Sequence, residues 1–341
     1  MKIHTYAWLA WLTAGLVVVS TTRNPFYLLL LVIILFINQS LLNQSDFRLP
    51  VSTLKISISI LLLSSLLNAF ISHFGDTVLV TIPGNIPMLS GPITLEAIVF
   101  GAINGLVLIA MFTFFTILNS AVPVQNLVRL IPRAFHPIAV VTTIALTFIP
   151  ATQQQFHTIR EAQAMRGQRL QKLRDWLPLF VPLLIGGLER AMQIAEAMTA
   201  RGYTVQPAKK QYPWHKIVLP ISLLLIIAGW IFLMTSPSSM TGWLIILLGL
   251  ILLAGLFFLS GRRTPKTYFF RETWNSNSYL LLLIAILVTL LVVLPIPGKS
   301  TLSYNPYPQI ILPQIAIAQI IAILLLILPA FLNRGVKHAK D

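Results

Sequence analysis

Across 341 residues the chain has no cysteine. That excludes disulfides, thiolate nucleophiles and cysteine-ligated metal centres. Acidic residues are scarce too, 9 against 24 lysines and arginines, so ion coupling through intramembrane carboxylates has little to draw on. The six histidines, His4, His73, His136, His157, His215 and His338, include no i,i+4 pair, and their scatter predicts no metal site. Residues of either charge make up 10% of the chain while 56% is apolar. What is abundant is long hydrocarbon runs, the composition of an integral membrane protein. Lipid offers backbone groups no partner outside their own segment, so the predicted fold class is all-α, a polytopic α-helical membrane protein.

Apolar runs fall near 7–20, 25–38, 54–74, 94–121, 135–150, 177–188, 216–235, 242–260, 279–296 and 310–331. The first two are short for a span of roughly 20 residues and are broken by Thr21-Thr22-Arg23-Asn24-Pro25, which predicts two tilted or short helices meeting at a tight turn. Residues 1–20 resemble a weak signal peptide, but the small-residue cleavage site is poor and a second run follows at once, so retention is expected.

Charge orients the runs. Twelve of the 24 basic residues lie between Arg129 and Lys216, against the four acids Glu161, Asp175, Glu189 and Glu196. Such an excess marks the cytoplasmic side of a membrane protein, and a lipid bilayer rather than a nucleic acid is the expected partner of this charge. Working outward, 122–134, Arg48 with Lys55, 209–216, 262–271 and 333–341 fall inside, while 73–92, 235–241 and 298–309 fall outside. Both termini are then cytoplasmic. The runs 135–150 and 177–188 have cations on each side, which predicts long helices beneath or dipping into the cytoplasmic leaflet, started or kinked at Pro150, Pro178 and Pro182. The predicted organisation is N-terminal transmembrane helices over 1–121, a cytoplasmic region over 122–215 and C-terminal transmembrane helices over 216–341.

Within the cationic region one phrase occurs twice, 35 positions apart: Glu161-Ala-Gln-Ala-Met-Arg-Gly167 and Glu196-Ala-Met-Thr-Ala-Arg-Gly202. Three and four residues before Arg166 stand Gln163 and Ala162, and before Arg201 stand Met198 and Ala197. Neither guanidinium therefore has a carboxylate on the preceding helical turn. Gly167 and Gly202 follow where a helix often ends in a left-handed residue. The predicted product is a helix tip presenting a five-donor cation, suited to a carboxylate, a phosphate or a carbonyl-lined groove. A single copy would be read as an ordinary C-terminus with a cation placed against the helix dipole; two copies with a shared Glu-Ala lead point to docking.

The segments Ala145-Leu-Thr-Phe-Ile-Pro150 with Ile159-Arg-Glu-Ala-Gln-Ala-Met-Arg-Gly167, and Val181-Pro-Leu-Leu184 with Ala195-Glu-Ala-Met-Thr-Ala-Arg-Gly-Tyr203, resemble the two coupling-helix regions of the transmembrane (T) component of energy-coupling factor transporters. The resemblance runs from about residue 5 to residue 235, and about 236–341 exceed the usual family pattern. It implies that the chain is a subunit of an ATP-driven importer in a prokaryotic plasma membrane, with 122–215 as the coupling-helix region. The implied partners are two cytoplasmic ABC ATPase subunits and a separate substrate-binding membrane (S) subunit. Met165, Arg166, Gly167, Ala200, Arg201 and Gly202 are the implied ATPase contacts, with Met165 standing where alanine is commoner. The cargo would be a vitamin or a transition-metal ion. No catalysis and no cofactor are expected in this chain.

Other readings rest on less. Gly298-Lys299-Ser300 is similar to the end of a phosphate-binding loop, but Val293 stands where the first glycine is required. An ion-coupled secondary transporter would need an intramembrane carboxylate, and only Glu96 lies at the edge of a clear span, where it reads as a helix-start residue. A membrane enzyme built around His73, Asp76 and Asn85 lacks a nucleophile or ligand constellation. Gly101 and Gly105 have the spacing that permits close helix approach, within the chain or to another subunit. The tryptophans, among them Trp8, Trp11, Trp214, Trp230 and Trp243, read mostly as interfacial anchors.

Overall fold

A computed structural model describes residues 3–42, 52–82, 91–132, 135–167, 176–202, 214–236, 240–262, 272–294 and 298–334. Among them the chain forms α1 (Thr5–Thr21), α2 (Pro25–Leu42), α3 (Thr53–Ile71), β1 (Val78–Ile82), β2 (Gly91–Thr94), α4 (Leu95–Ala121), α5 (Val124–Arg129), α6 (His136–Met165), α7 (Leu177–Ala200), α8 (Trp214–Thr235), α9 (Met240–Arg262), α10 (Ser276–Val293), α11 (Ile317–Leu325) and α12 (Leu328–Arg334). Seven of these, α2, α3, α4, α7, α8, α9 and α10, are long and apolar enough to cross a bilayer, as a polytopic all-α membrane protein requires. By length and composition α7 belongs to that set, although its flanking charge predicts a helix that stays on one side.

The chain divides into two compact units, one made of Met1–Leu127 with Phe270–Asp341 and the other of Val128–Phe269. The last helices thus fold back onto the first ones rather than extending the bundle that precedes them.

In the first unit the core lies among α1, α2, α4, α10 and α11, around Trp11, Leu28, Leu35, Phe114, Ile117, Leu281 and Ile323. Gly15 admits the Phe114 ring where any Cβ would collide with it, and that ring lies 4.9 Å from Trp11. Trp8 and Trp11 are 3% and 0% exposed, so they are core residues, not interfacial anchors. Trp230 and Trp243 are exposed as anchors should be. Gly101 and Gly105 are spent within the chain. They bring α4 against α3 closely enough for Ser64 Oγ to donate to Gly101 O (2.8 Å), Ser65 Oγ to Ile98 O (3.1 Å) and Asn68 Nδ2 to Ala97 O (2.6 Å).

The run 310–331 is not one helix. Pro329 has no N–H, and the chain breaks between α11 and α12. Trp11 Nε1 (3.3 Å) and Asn38 Nδ2 (3.0 Å) donate to the freed Leu326 carbonyl, while Asn38 Oδ1 accepts from Ala330 N (3.0 Å). An apolar surrounding demands that satisfaction. The stretch before α4, read from sequence as a loop, contains the antiparallel hairpin β1–β2, with Val78 opposite Thr94 and Ile82 opposite Gly91.

Contacts in this unit sort into two ends. The α1–α2 turn meets 298–316, where Asn24 Nδ2 donates to Thr301 O and Gln314 O, and Asp76 accepts from Gln309. At the other end Thr5, Asn126 and Glu272 converge.

The second unit contains two helix pairs. Gly229, Gly242 and Gly249 let α8 and α9 approach closely, and α6 pairs with α7.

Candidate docking site on two arginine-tipped helices

Both copies of the repeated phrase end a helix in the same way. In α6, Arg166 (φ −82°, ψ 8°) closes the last turn with its N–H on Gln163 O at 3.1 Å, and Gly167 follows at φ +81° with its N–H on Ala164 O at 3.0 Å. In α7, Arg201 (φ −84°, ψ 9°) bonds Ala197 O at 3.2 Å and Gly202, at φ +74°, bonds Thr199 O at 2.9 Å. A Cβ at either glycine would meet nothing within 4 Å. These glycines are needed for their backbone angle, not for room.

The side chains face outward. Met165 is 89% exposed, and Arg166, Ala200 and Arg201 are exposed as well. Neither arginine has a side-chain hydrogen bond or ion pair among the described residues. Arg190, three turns before Arg201 in α7, lies 5.9 Å over the Phe148 ring and is held within the pair. Among the described residues the two tips therefore carry free planar forks.

The helices run antiparallel. Gln163 Nε2 donates to Pro178 O at 3.5 Å, Gln155 lies against Gly186, and Phe148 meets Gly187 and Arg190, so residue numbers rise in α7 as they fall in α6. Each tip is consequently at a different end of the pair. Taking the Gln155–Gly186 contact as the crossing and 1.5 Å per residue, Arg166 and Arg201 stand roughly 30–40 Å apart. The chain continues through Pro150 and Pro182 inside these helices without ending them.

Between the helices lies an apolar groove of about 1000 Å³ lined by residues that include Val141, Phe148, Ile149, Phe156, Leu183, Ile194 and Met198. A polar hollow of about 490 Å³ with Gln154, Gln155, Glu189, Arg190 and Gln193 is a separate cavity on the same pair. Leu177, Phe180, Leu184, Ile185 and Leu188 are exposed. The sequence contains this amphipathicity as spacing, but which faces meet was not readable from it.

The other candidates resolve differently. Glu96 is buried in the first turn of α4, where Thr77 N (3.2 Å) and Thr77 Oγ1 donate to its Oε1. It ties the preceding loop to the helix start. His73 lies against Pro92 O and Asp76 against Gln309, and Asn85 falls outside the described residues. Among the described residues no three potential ligands gather for a metal ion.

The cobalt transport protein family (CbiQ) matches residues 3–214, which include both arginine tips. The chain belongs to this family. Its relatives include the energy-coupling factor transporter transmembrane protein EcfT 1 of Listeria monocytogenes, 28% identical over 171 residues, covering 43% of this chain and 64% of that protein. The EcfT protein of Bacillus subtilis is 26% identical over 224 residues, 62% of this chain and 74% of that protein. The counterpart in Limosilactobacillus fermentum is 30% identical over 165 residues, 39% and 62% respectively. The chain thus spans less than two thirds of the length of the first and third of these relatives. The family match bears out the resemblance carried by the two Arg-Gly segments, and it ends before α8 is complete, leaving the last helices beyond it.

Proposed function

We propose that the chain is the transmembrane coupling subunit of an ATP-driven importer of the energy-coupling factor type. The observation that carries this is the pair of matching helix tips: Arg166-Gly167 and Arg201-Gly202, each with an exposed guanidinium that has no partner among the described residues, at different ends of one antiparallel helix pair. Two spaced, equivalent tips fit two equivalent receivers, hence two ABC ATPase subunits on the cytoplasmic side. A planar fork suits the carboxylate or carbonyl groups of a protein groove.

In this reading the termini are cytoplasmic, as the charge distribution favours. ATP-driven closure of the ATPases shifts the tips, α6 and α7 move, and a separate substrate-binding membrane subunit is tilted or released to deliver a vitamin or a transition-metal ion. ATP hydrolysis belongs to the partners. The names of the relatives, transmembrane proteins of energy-coupling factor transporters, support the assignment.

Co-purification with ABC ATPases of the energy-coupling factor type, followed by uptake in proteoliposomes, tests the proposal. Arg166→Ala and Arg201→Ala should each weaken ATPase association and uptake, and the double variant should abolish uptake while still inserting into the membrane. Full uptake by the double variant would sink the proposal, as would solute movement down an ion gradient by the chain alone.

A further inference from the structure

The chain passes between its two units twice, once at Leu127/Val128 and once at Phe269/Phe270. Asn126 stands just before the first passage, and Glu272 is the first described residue after the second. The two are joined: Asn126 Nδ2 donates to Glu272 Oε1 at 2.6 Å. The same carboxylate receives Thr5 Oγ1 on Oε1 at 2.9 Å and Thr5 N on Oε2 at 3.0 Å. Thr5 is the first residue of α1, so the carboxylate also sits at the positive end of that helix. One side chain ties three separate strands.

His4 frames this cluster. Its N–H donates to Ser278 Oγ at 2.9 Å, and its ring stacks on Trp274 at 4.4 Å. His4 Nδ1 lies 3.7 Å from Glu272 Oε2, but that nitrogen accepts the Tyr6 N–H at 3.2 Å. The carboxylate is held by N–H and O–H donors together with the helix dipole, and charge-assisted bonds of this kind are short and directional.

We propose that Glu272 is a positioning residue for energy coupling, locking together the two chain segments through which the α6–α7 unit is attached. This rests on the coupling function proposed above. Helices α1 and α10 already adhere through Leu281, Ala285 and Val288, all buried. Adhesion does not need the carboxylate. Helix α4 packs into the same core, with Phe114 4.9 Å from Trp11; what the carboxylate adds is a directional tie on the α4–α5 segment at one oxygen, so that the two exits cannot slide past one another. Motion arriving from the arginine tips is then handed on as displacement instead of being lost in independent movement of two tethers. Glu272 lies outside the residues matched by the family, which gives the C-terminal segment a role in transmission.

The absence of native cysteine permits a direct test with the full chain in lipid. Asn119→Cys on α4 and Thr273→Cys beside Glu272, both exposed and both in the first unit, receive spin labels for a distance measurement by pulsed electron resonance. Asn126→Asp sets two carboxylates against each other and should replace a narrow distance distribution with a broad one. In the complex with its ATPases it should lower the substrate moved per ATP hydrolysed while ATPase co-purification persists. Adding Glu272→Gln to Asn126→Asp reverses donor and acceptor: the Gln amide donates to the new carboxylate, and its oxygen still accepts Thr5 N–H. Both readouts should return to those of the parent. A general folding defect would instead reduce complex yield without rescue by the swap. Unchanged distances and unchanged stoichiometry in Asn126→Asp, or no recovery in the swapped pair, overturn the proposal. If the ATPases fail to bind the parent chain, the coupling function itself has failed, whereas the distance measurement, which needs no partner, still decides the clamp.

Discussion

Gly167 and Gly202 show how much a single residue controls at this site. Both adopt positive φ with open space around the missing Cβ, so alanine there costs only backbone strain, about 1 to 2 kcal/mol. Gly167→Ala and Gly202→Ala should each weaken ATPase binding moderately, and asparagine, which tolerates the left-handed region, should bind more nearly like the parent. Titration of purified variants with the ATPase checks the order; alanine binding as well as glycine would contradict it. Arg201→Lys should weaken binding as well, because an ammonium keeps the charge and loses the two-pronged fork. These features were legible in the sequence because helix capping is local: Arg166 and Gly167 are adjacent, and the carboxylates absent from the preceding turn are absent from the sequence itself. The Glu272 clamp was not legible. Its partners Thr5 and Asn126 lie 267 and 146 positions away, and nothing in a basic loop singles out one glutamate.

Elements were legible where their cause lies within them. Apolar length located the spans, and Asn24-Pro25 the turn between α1 and α2. The break in the last run has its cause in Pro329, visible in the sequence, but its rescue comes from Asn38, 288 positions from Leu326. Asn38→Leu should leave Leu326 O with one donor fewer and Ala330 N with only the Ile327 carbonyl, at 3.1 Å, in an apolar setting. The expected loss is about 1–3 kcal/mol, read as a lower thermal midpoint in detergent; an unchanged midpoint would show that the break satisfies itself. Gly101→Val should also lower the midpoint, since a Cβ there would fall 2.8 Å from Ser64 O and Ser65 Cα on α3. The hairpin β1–β2 escaped notice because a four-residue strand beside Gly/Pro-rich sequence gives no periodicity to detect. Trp8 and Trp11 near a run end look like interfacial anchors until another helix is known to cover them.

At the scale of the whole molecule, the last helices are built into the first unit. Ending the chain before Glu272 would strip α1 of α10 and take Thr301 O and Gln314 O from the buried Asn24. Such a truncation should give no monodisperse membrane protein, although the family match ends well before it; a stable, homogeneous product would show the C-terminal helices to be an appendage. The sequence by itself determined the membrane class, the approximate spans and the two arginine-tipped helix ends, because hydropathy and capping act over a few neighbouring residues. Only the tertiary structure decided that the tips stand at different ends of an antiparallel pair, that α10 to α12 return to α1 and α2, and that Asn126 and Glu272 tie the two passages together. Those outcomes depend on which apolar faces pack against each other, and hydrocarbon burial, being non-directional, leaves no mark of its partner in the sequence.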